Sequence, residues 1–479
     1  MHDEGVARLV AETVAHRYSR RDVLRRAAAL GLAAPAIAIA LEARTAMAGA
    51  QTPANTNPLG VDPAAPLDVV IFKGGYGDDY AIYVKDQMYQ KLYPESEITY
   101  AGIQRLGEQL QPRFVAGEPP DIIDNSGAGN LDTTALIAEG QLADLADLMA
   151  APSYDTEGKT FAETLVPGSQ ETGVFDGVQY YLNLALSAYG LWYSSSWMEE
   201  NGFTYPATWT EFMALCEEIK GTGVAPFMTT GVHPQYIRGF VFDQMLWKHD
   251  SQAMVNIDNL EADAWKQPAV TEVLEALMQL AEGDFFGEGW EGLDHTQSQT
   301  EWLQGKAVFL PCGTWLENEM KDLIPEGFNM VIAPTPSLDE DQIPFEGILA
   351  GAGEPFIVPS QGQNVQGGKE YLRLLFSQEG GRGFSEATKS LSVVQGSGEG
   401  LELGTAFAST QEAIAAAGEN TFQARYSGWY DLLDEDSKLL MLEMIQGQIS
   451  IEEFQESVQE VADTVKEDES IIKYTREWP

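Results

Sequence analysis

The sequence predicts an α/β fold with a mainly parallel, doubly wound sheet, in two lobes or domains. Three observations predict it. The chain has 479 residues, too many for one ordinary core. Strand and helix signals alternate from Leu67 onward. A second α/β region occupies the middle of the chain. With 44% hydrophobic and 10% aromatic residues, there is ample material for a core, which excludes wholesale disorder.

The elements follow in order. Leu67-Asp68-Val69-Val70-Ile71-Phe72 reads as a buried strand, and Gly74–Asp79 as the turn after it. Tyr80, Val84, Met88 and Leu92 recur every four residues, which predicts a helix that Pro94 ends. A strand from Ile98 to Ala101, a helix over 105–116 and a short strand at Ile122–Asp124 come next. In such sheets ligands sit beyond the carboxyl ends of the strands, which points to the loops Gly74–Asp79 and Asp124–Gly127. Thr208-Trp209-Thr210-Glu211 and Ser450-Ile451-Glu452-Glu453 are helix-starting capping boxes. Phe454, Val458, Val461 and Val465 form an amphipathic stripe after the second. There is no internal repeat.

The N-terminus reads as a targeting segment. Ser19-Arg20-Arg21-Asp22-Val23-Leu24-Arg25 is a twin-arginine pattern, and an apolar run follows from Ala27 to Leu41. That run is short for a membrane span, which needs about 20 residues. Ala46-Met47-Ala48 supplies a small-residue cleavage site, so residues 1–48 are assigned as a twin-arginine signal peptide. Residues 51–66 are rich in Pro, Ala and Asn, and 49–58 is assigned as a flexible tether. No cysteine lies near the cleavage site, so no lipid anchor is expected. Cys216 and Cys312 are the only cysteines; free buried thiols are expected, with a disulfide as the alternative.

Charge narrows the partners. The chain carries 28 basic and 73 acidic residues, a net of −45. Residues 1–50 hold 7 basic and 5 acidic ones, so the remainder carries 21 against 68. Such a surface repels nucleic acid and anionic lipid and disfavours an anionic substrate. Most of the carboxylates are read as a solvated exterior.

Several stretches, in order, resemble the extracellular solute-binding proteins of carbohydrate ABC importers. They are Pro119-Pro120-Asp121-Ile122-Ile123, Gly140–Leu145, Asp176–Tyr181 with Gly190-Leu191-Trp192-Tyr193, Gly202–Trp209 and Gly305–Phe309. Asp68–Tyr80, Pro311–Glu319 and Gly351–Pro359 are similar to the N-acetylglucosamine and diacetylchitobiose-binding branch. The chain departs from that branch in lacking its lipoprotein cysteine and a proline after Leu182. The resemblance implies a periplasmic-binding-protein-like fold: two α/β lobes, a hinge and a ligand cleft between them. It implies lobe one over 59–186 and 346–402, and lobe two over 187–345 and 403–479. It also implies an exported, monomeric, non-enzymatic protein, periplasmic or extracellular, that carries sugar to permease subunits without cofactor or metal.

Sugar recognition pairs aromatic faces with planar polar side chains, and 10 Trp and 18 Tyr supply the first. Trp315 is the expected stacking residue, following Gly313 at a strand end. Trp429, Tyr189, Tyr236 and His233 are further expected contacts. Asp79, Asp124 and Asn125 are candidates for hydroxyl bonding, with helix capping the alternative for Asp79. Glu354, in an apolar glycine-rich stretch, needs a partner: ligand hydroxyls or a buried cation.

Competing functions have weaker signals. A glycoside hydrolase needs only a carboxylate pair, which 73 acidic residues cannot exclude, but the pattern does not suit an eight-fold barrel. G-x-S-x-G and H-E-x-x-H are absent, five scattered histidines make no zinc site, and no EF-hand spacing occurs. A binding protein for a xylo-, cello- or malto-type oligosaccharide would use the same stacking chemistry. A surface adhesin would be expected to show repeats.

Overall fold

The computed structural model describes residues 57–127, 129–338 and 341–477. The segment expected to be a signal peptide, residues 1–48, and most of the expected tether, 49–58, lie outside them. Asn57–Gly60 form a turn closed by the Gly60 N–H donating to the Asn57 carbonyl. From Val61 onward the chain is one compact unit.

Its centre is a sheet whose strands are β1 (Leu67–Phe72), β2 (Ile98–Ile103), β3 (Ile122–Asp124), β6 (Tyr181–Ser194), β7 (Ala225–Phe227), β8 (Ala307–Gly313) and β10 (Ile348–Ile357). Their order is β2-β1-β3-β10-β6-β8-β7. A hairpin, β4 (Val174–Phe175) with β5 (Val178–Gln179), stands apart. β9 (Met330–Ala333) and β11 (Leu391–Ser392) add to β6, and β12 (Thr421–Phe422) adds to β10.

The expected parallel order holds at the two flanks. β1 runs parallel to β2 and β3, and β7 runs parallel to β8. The centre differs: β6 is antiparallel to β8, β9 and β10, and β10 is antiparallel to β3. The reason is length. β6 has 14 residues and β10 has 10, so each runs from one flank of the sheet to the other instead of turning back through a helix.

Each flank has its own core. Val70, Leu106, Leu110, Ile123 and Ile357 pack together on the side of β1–β3. A larger cluster built on Trp192, Phe212, Trp247, Trp265 and Phe309 fills the other side. Both cysteines are free and buried, Cys216 and Cys312 alike.

Local signals mostly give the elements they promise. Thr208 accepts from the Glu211 N–H at the start of the helix Trp209–Gly221. Ser450 and Glu453 complete a full capping box before the helix Ile451–Glu467, and Phe454, Val458 and Val465 are buried on its inner face. The helical run after Asp79 is less regular than its four-residue period predicts. It widens into a π-helical segment at Val84–Tyr89, which lets Tyr80, Val84, Met88 and Tyr89 all turn inward.

Candidate functional site

A cavity of about 630 Å³ opens where the two flanks meet. Its walls come from the segment after β3, from Thr172–Tyr189, from residues 235–243, from Trp315, from β10 and from residues 423–438.

One wall is aromatic. Tyr189 lies in β6 with Gly313 of β8 on one side and Leu349 of β10 on the other. Its ring meets Phe240 at 4.8 Å and the edge of Trp315 at 5.7 Å. Tyr236 and Phe240 also touch Trp315 edge-on, at 6.2 and 6.1 Å. Three edge contacts hold the indole while leaving it half-exposed to the cavity. Gly313 is a glycine for this reason: a Cβ there would lie 2.1 Å from the Trp315 six-membered ring.

The loop after β1 closes over the same indole. Asn318 Nδ2 donates to the Gly75 carbonyl at 2.6 Å. The Tyr76 hydroxyl bonds Ser187 Oγ at 3.0 Å and Thr314 Oγ1 at 3.3 Å. These bonds tie the β1 flank to the β8 flank.

The opposite wall is charged. Arg238 is buried; its Nη1 donates to Asp243 Oδ2 at 3.0 Å and to the Tyr426 hydroxyl, and its Nη2 to Asp434 Oδ1 at 2.6 Å. Tyr426 donates in turn to Asp243 Oδ1 at 2.9 Å. Burial pushes Asp243 up to about 7, and Arg238 and Tyr426 pull it back. Lys438 spans Asp434 and Glu435 at 3.3 and 2.5 Å. These charges are therefore paired, and this part of the wall offers fixed dipoles and carboxylate oxygens to a neutral ligand.

Of the residues expected from sequence, Trp315, Trp429 and Tyr189 come together on the cavity wall. Gly313 and Tyr236 stand directly behind Trp315. His233 packs on His295 at 5.0 Å, one ring further back. Asp79 is exposed in the first turn of its helix, where Asp78 takes the N-cap position without a side-chain capping bond. Asn125 is buried and spends its side chain on the 125–133 loop, accepting from the Leu131 N–H and donating to the Leu131 carbonyl and Thr133. Asp124 is buried, accepting from Tyr80 at 3.0 Å and Ser126 at 2.6 Å.

Among the described residues Glu354 meets a second carboxyl, not the buried cation that the sequence offered as an alternative to ligand hydroxyls. It lies in β10 at φ +61°, a left-handed conformation unusual for a side-chain-bearing residue, and its carboxyl bonds the carboxyl of Asp124. Burial raises both, Asp124 up to about 7 and Glu354 well above the usual carboxylate range; the Asp124 charge lifts Glu354 further, whereas hydrogen bonds from Ser126, Glu354 and Tyr80 hold Asp124 back.

Arg238, Asp243, Arg425, Asp434 and Lys438 were missed by the sequence reading. The usable signal was scarcity: in so acidic a chain each arginine is worth placing. Among the described residues no group of three or more His, Cys, Asp or Glu is arranged to hold a metal ion.

Comparison with known proteins then decides the family. Bacterial extracellular solute-binding proteins match residues 73–382. This chain belongs to that family. It is 34% identical over 420 residues to the diacetylchitobiose binding protein NgcE of Streptomyces coelicolor, which covers 87% of this chain and 88% of that one. It is 22% identical over 247 residues to a multiple sugar-binding protein of Streptococcus mutans, covering 51% and 56%. Among solved structures, a chitin oligosaccharide binding protein superposes with a TM-score of 0.70 at 18% identity, covering 84% of this chain and 99% of that one. The raffinose complex of RafE gives 0.67 at 16%, covering 83% and 99%. The fold is thus the two-lobed α/β fold of the sugar-binding proteins. Among the described residues no helix is long and apolar enough to cross a membrane.

Proposed function

We propose that this chain is the substrate-binding component of a carbohydrate ABC importer. It captures N-acetylglucosamine and chitin oligosaccharides in the cavity and delivers them to membrane permease subunits. The observation that carries this reading is the near full-length likeness to the diacetylchitobiose binding protein. The cavity supports it, with an indole and two further rings on one wall and paired charges on the other.

In this reading lobe one comprises 59–186 and 346–402, and lobe two comprises 187–345 and 403–479. β6 and β10 are the crossings between them, and the separate cores on the two sides of the sheet support that division. Trp315 stacks on a pyranose; Tyr189 and Trp429 complete the apolar contact. Sugar bonds both lobes and draws the population toward the closed form, which the permease engages. The protein acts without catalysis, as an exported monomer, with residues 1–48 as its export signal.

Calorimetric titration tests this. N-acetylglucosamine, diacetylchitobiose and longer chitin oligosaccharides are titrated, with maltose and cellobiose as controls. Micromolar or tighter binding of the chitin sugars, without hydrolysis, is expected. Binding of a control sugar alone would discard the chitin assignment, and turnover of any sugar would discard the transport role.

A further inference from the structure

Seven arginines lie among the described residues, and six of them hold an aspartate or glutamate in an ion pair. Arg425 has no such pair, and it lines the cavity. Its backbone N–H donates to the buried Asp258 at 2.8 Å, which fixes the residue at the wall while the side chain stays half-buried. Its charge is felt at Asp258, but in a chain with 73 acidic residues an arginine whose guanidinium makes no direct ion pair is the exception that needs a reason.

The surroundings supply one. Phe175, Tyr181 and Trp429 line the same cavity. Phe175 lies 6.1 Å from Tyr181 and 5.3 Å from Tyr474, and Trp429 lies 5.6 Å from Tyr474. Arg425 lines the cavity together with Phe175, Tyr181 and Trp429, and its charge is felt at the Tyr181 hydroxyl, so a planar set of N–H donors shares this cavity with aromatic carbon. A sugar hydroxyl needs only the donors. An acetamido group needs both, since its carbonyl accepts and its methyl seeks apolar surface. A carboxylate would also suit the guanidinium, but the net charge of −45 and the nearby Asp434 and Glu435 oppose an anion.

We infer that Arg425, with Phe175, Tyr181 and Trp429, forms a subsite that reads the acetamido group and makes the protein prefer N-acetylated to de-N-acetylated sugars. The inference rests on the chitin-sugar reading above. Arg425 acts in two ways: it donates to the amide carbonyl, and it repels the ammonium group that replaces the acetamide in a glucosamine unit.

The test titrates wild type, Arg425→Ala and Arg425→Glu with diacetylchitobiose and with the fully de-N-acetylated disaccharide. Wild type is expected to favour the acetylated sugar, and Arg425→Ala to narrow that preference about tenfold, the scale of one charge-assisted hydrogen bond. Arg425→Glu moves the preference further toward the amine sugar. Thermal melting of each variant confirms that it is folded. A preference ratio in folded Arg425→Ala within about twofold of wild type overturns this inference alone, being well short of one such bond. Wild type that binds neither disaccharide overturns the chitin-sugar reading, and this inference with it.

Discussion

Gly75 and Trp315 touch: a Cβ placed on Gly75 would lie 2.8 Å from the indole Cδ1 and 3.0 Å from its Cγ. Gly75 belongs to the loop after β1, and Trp315 to the turn after β8. Closure over the indole therefore depends on a missing side chain. Gly75→Ala should push the loop or the ring aside and weaken sugar binding about tenfold, with little loss of stability, because the loop is half-exposed. Titration with diacetylchitobiose reads this; wild-type affinity in the variant would mean that the contact has no part in closure.

Trp315→Ala removes the platform itself and should weaken binding by roughly 1–3 kcal/mol. The two substitutions should not add. Once the indole is gone, Gly75→Ala has nothing to displace, so it should change affinity by less than about 0.5 kcal/mol in that background. A double-mutant cycle measures the difference, and additivity would place the two residues in separate effects.

Arg238 is the keystone of the charged wall. Removing it leaves Asp243 buried without its cation and Asp434 without its strongest partner. Arg238→Met should destabilise the protein by about 3–5 kcal/mol. Urea denaturation checks this, and a loss below about 1 kcal/mol would show that the network adds little to the fold.

What the sequence made legible was local. The strand Leu67–Phe72 appears with the bounds expected, because a run of apolar β-formers between turn residues leaves few alternatives. The Ser450 capping box is equally local. Trp315, Trp429 and Tyr189 reach the cavity because the resemblance carried their positions. The charged wall was not legible. Arg238 and Asp434 are separated by 196 residues, and no spacing rule links them. Asp124 and Glu354 show the same limit from the other side. Asp124 was singled out as a candidate for hydroxyl bonding and Glu354 as a carboxylate in an apolar stretch, yet only the pairing of β3 with β10 reveals that each is the other's partner.

That pair gives a pH prediction. Asp124 and Glu354 have folded values raised above their ordinary 3.8 and 4.5, Asp124 to about 7, because burial disfavours ionisation of both and the Asp124 charge adds to this at Glu354. The folded state therefore holds these protons more tightly than the unfolded chain. Their contribution to stability is fully present below about pH 4 and is lost as pH rises through about 7. Glu354→Gln removes one of the two raised carboxyls, while its amide can still donate to Asp124, which burial alone keeps raised. The variant should lose less stability than wild type as pH rises from about 4 through about 7, because only Asp124 then remains raised in the folded state. Urea midpoints measured across that range for both proteins decide it. Parallel pH profiles would mean that the Glu354 carboxyl is not raised in the folded state and shares no proton with Asp124.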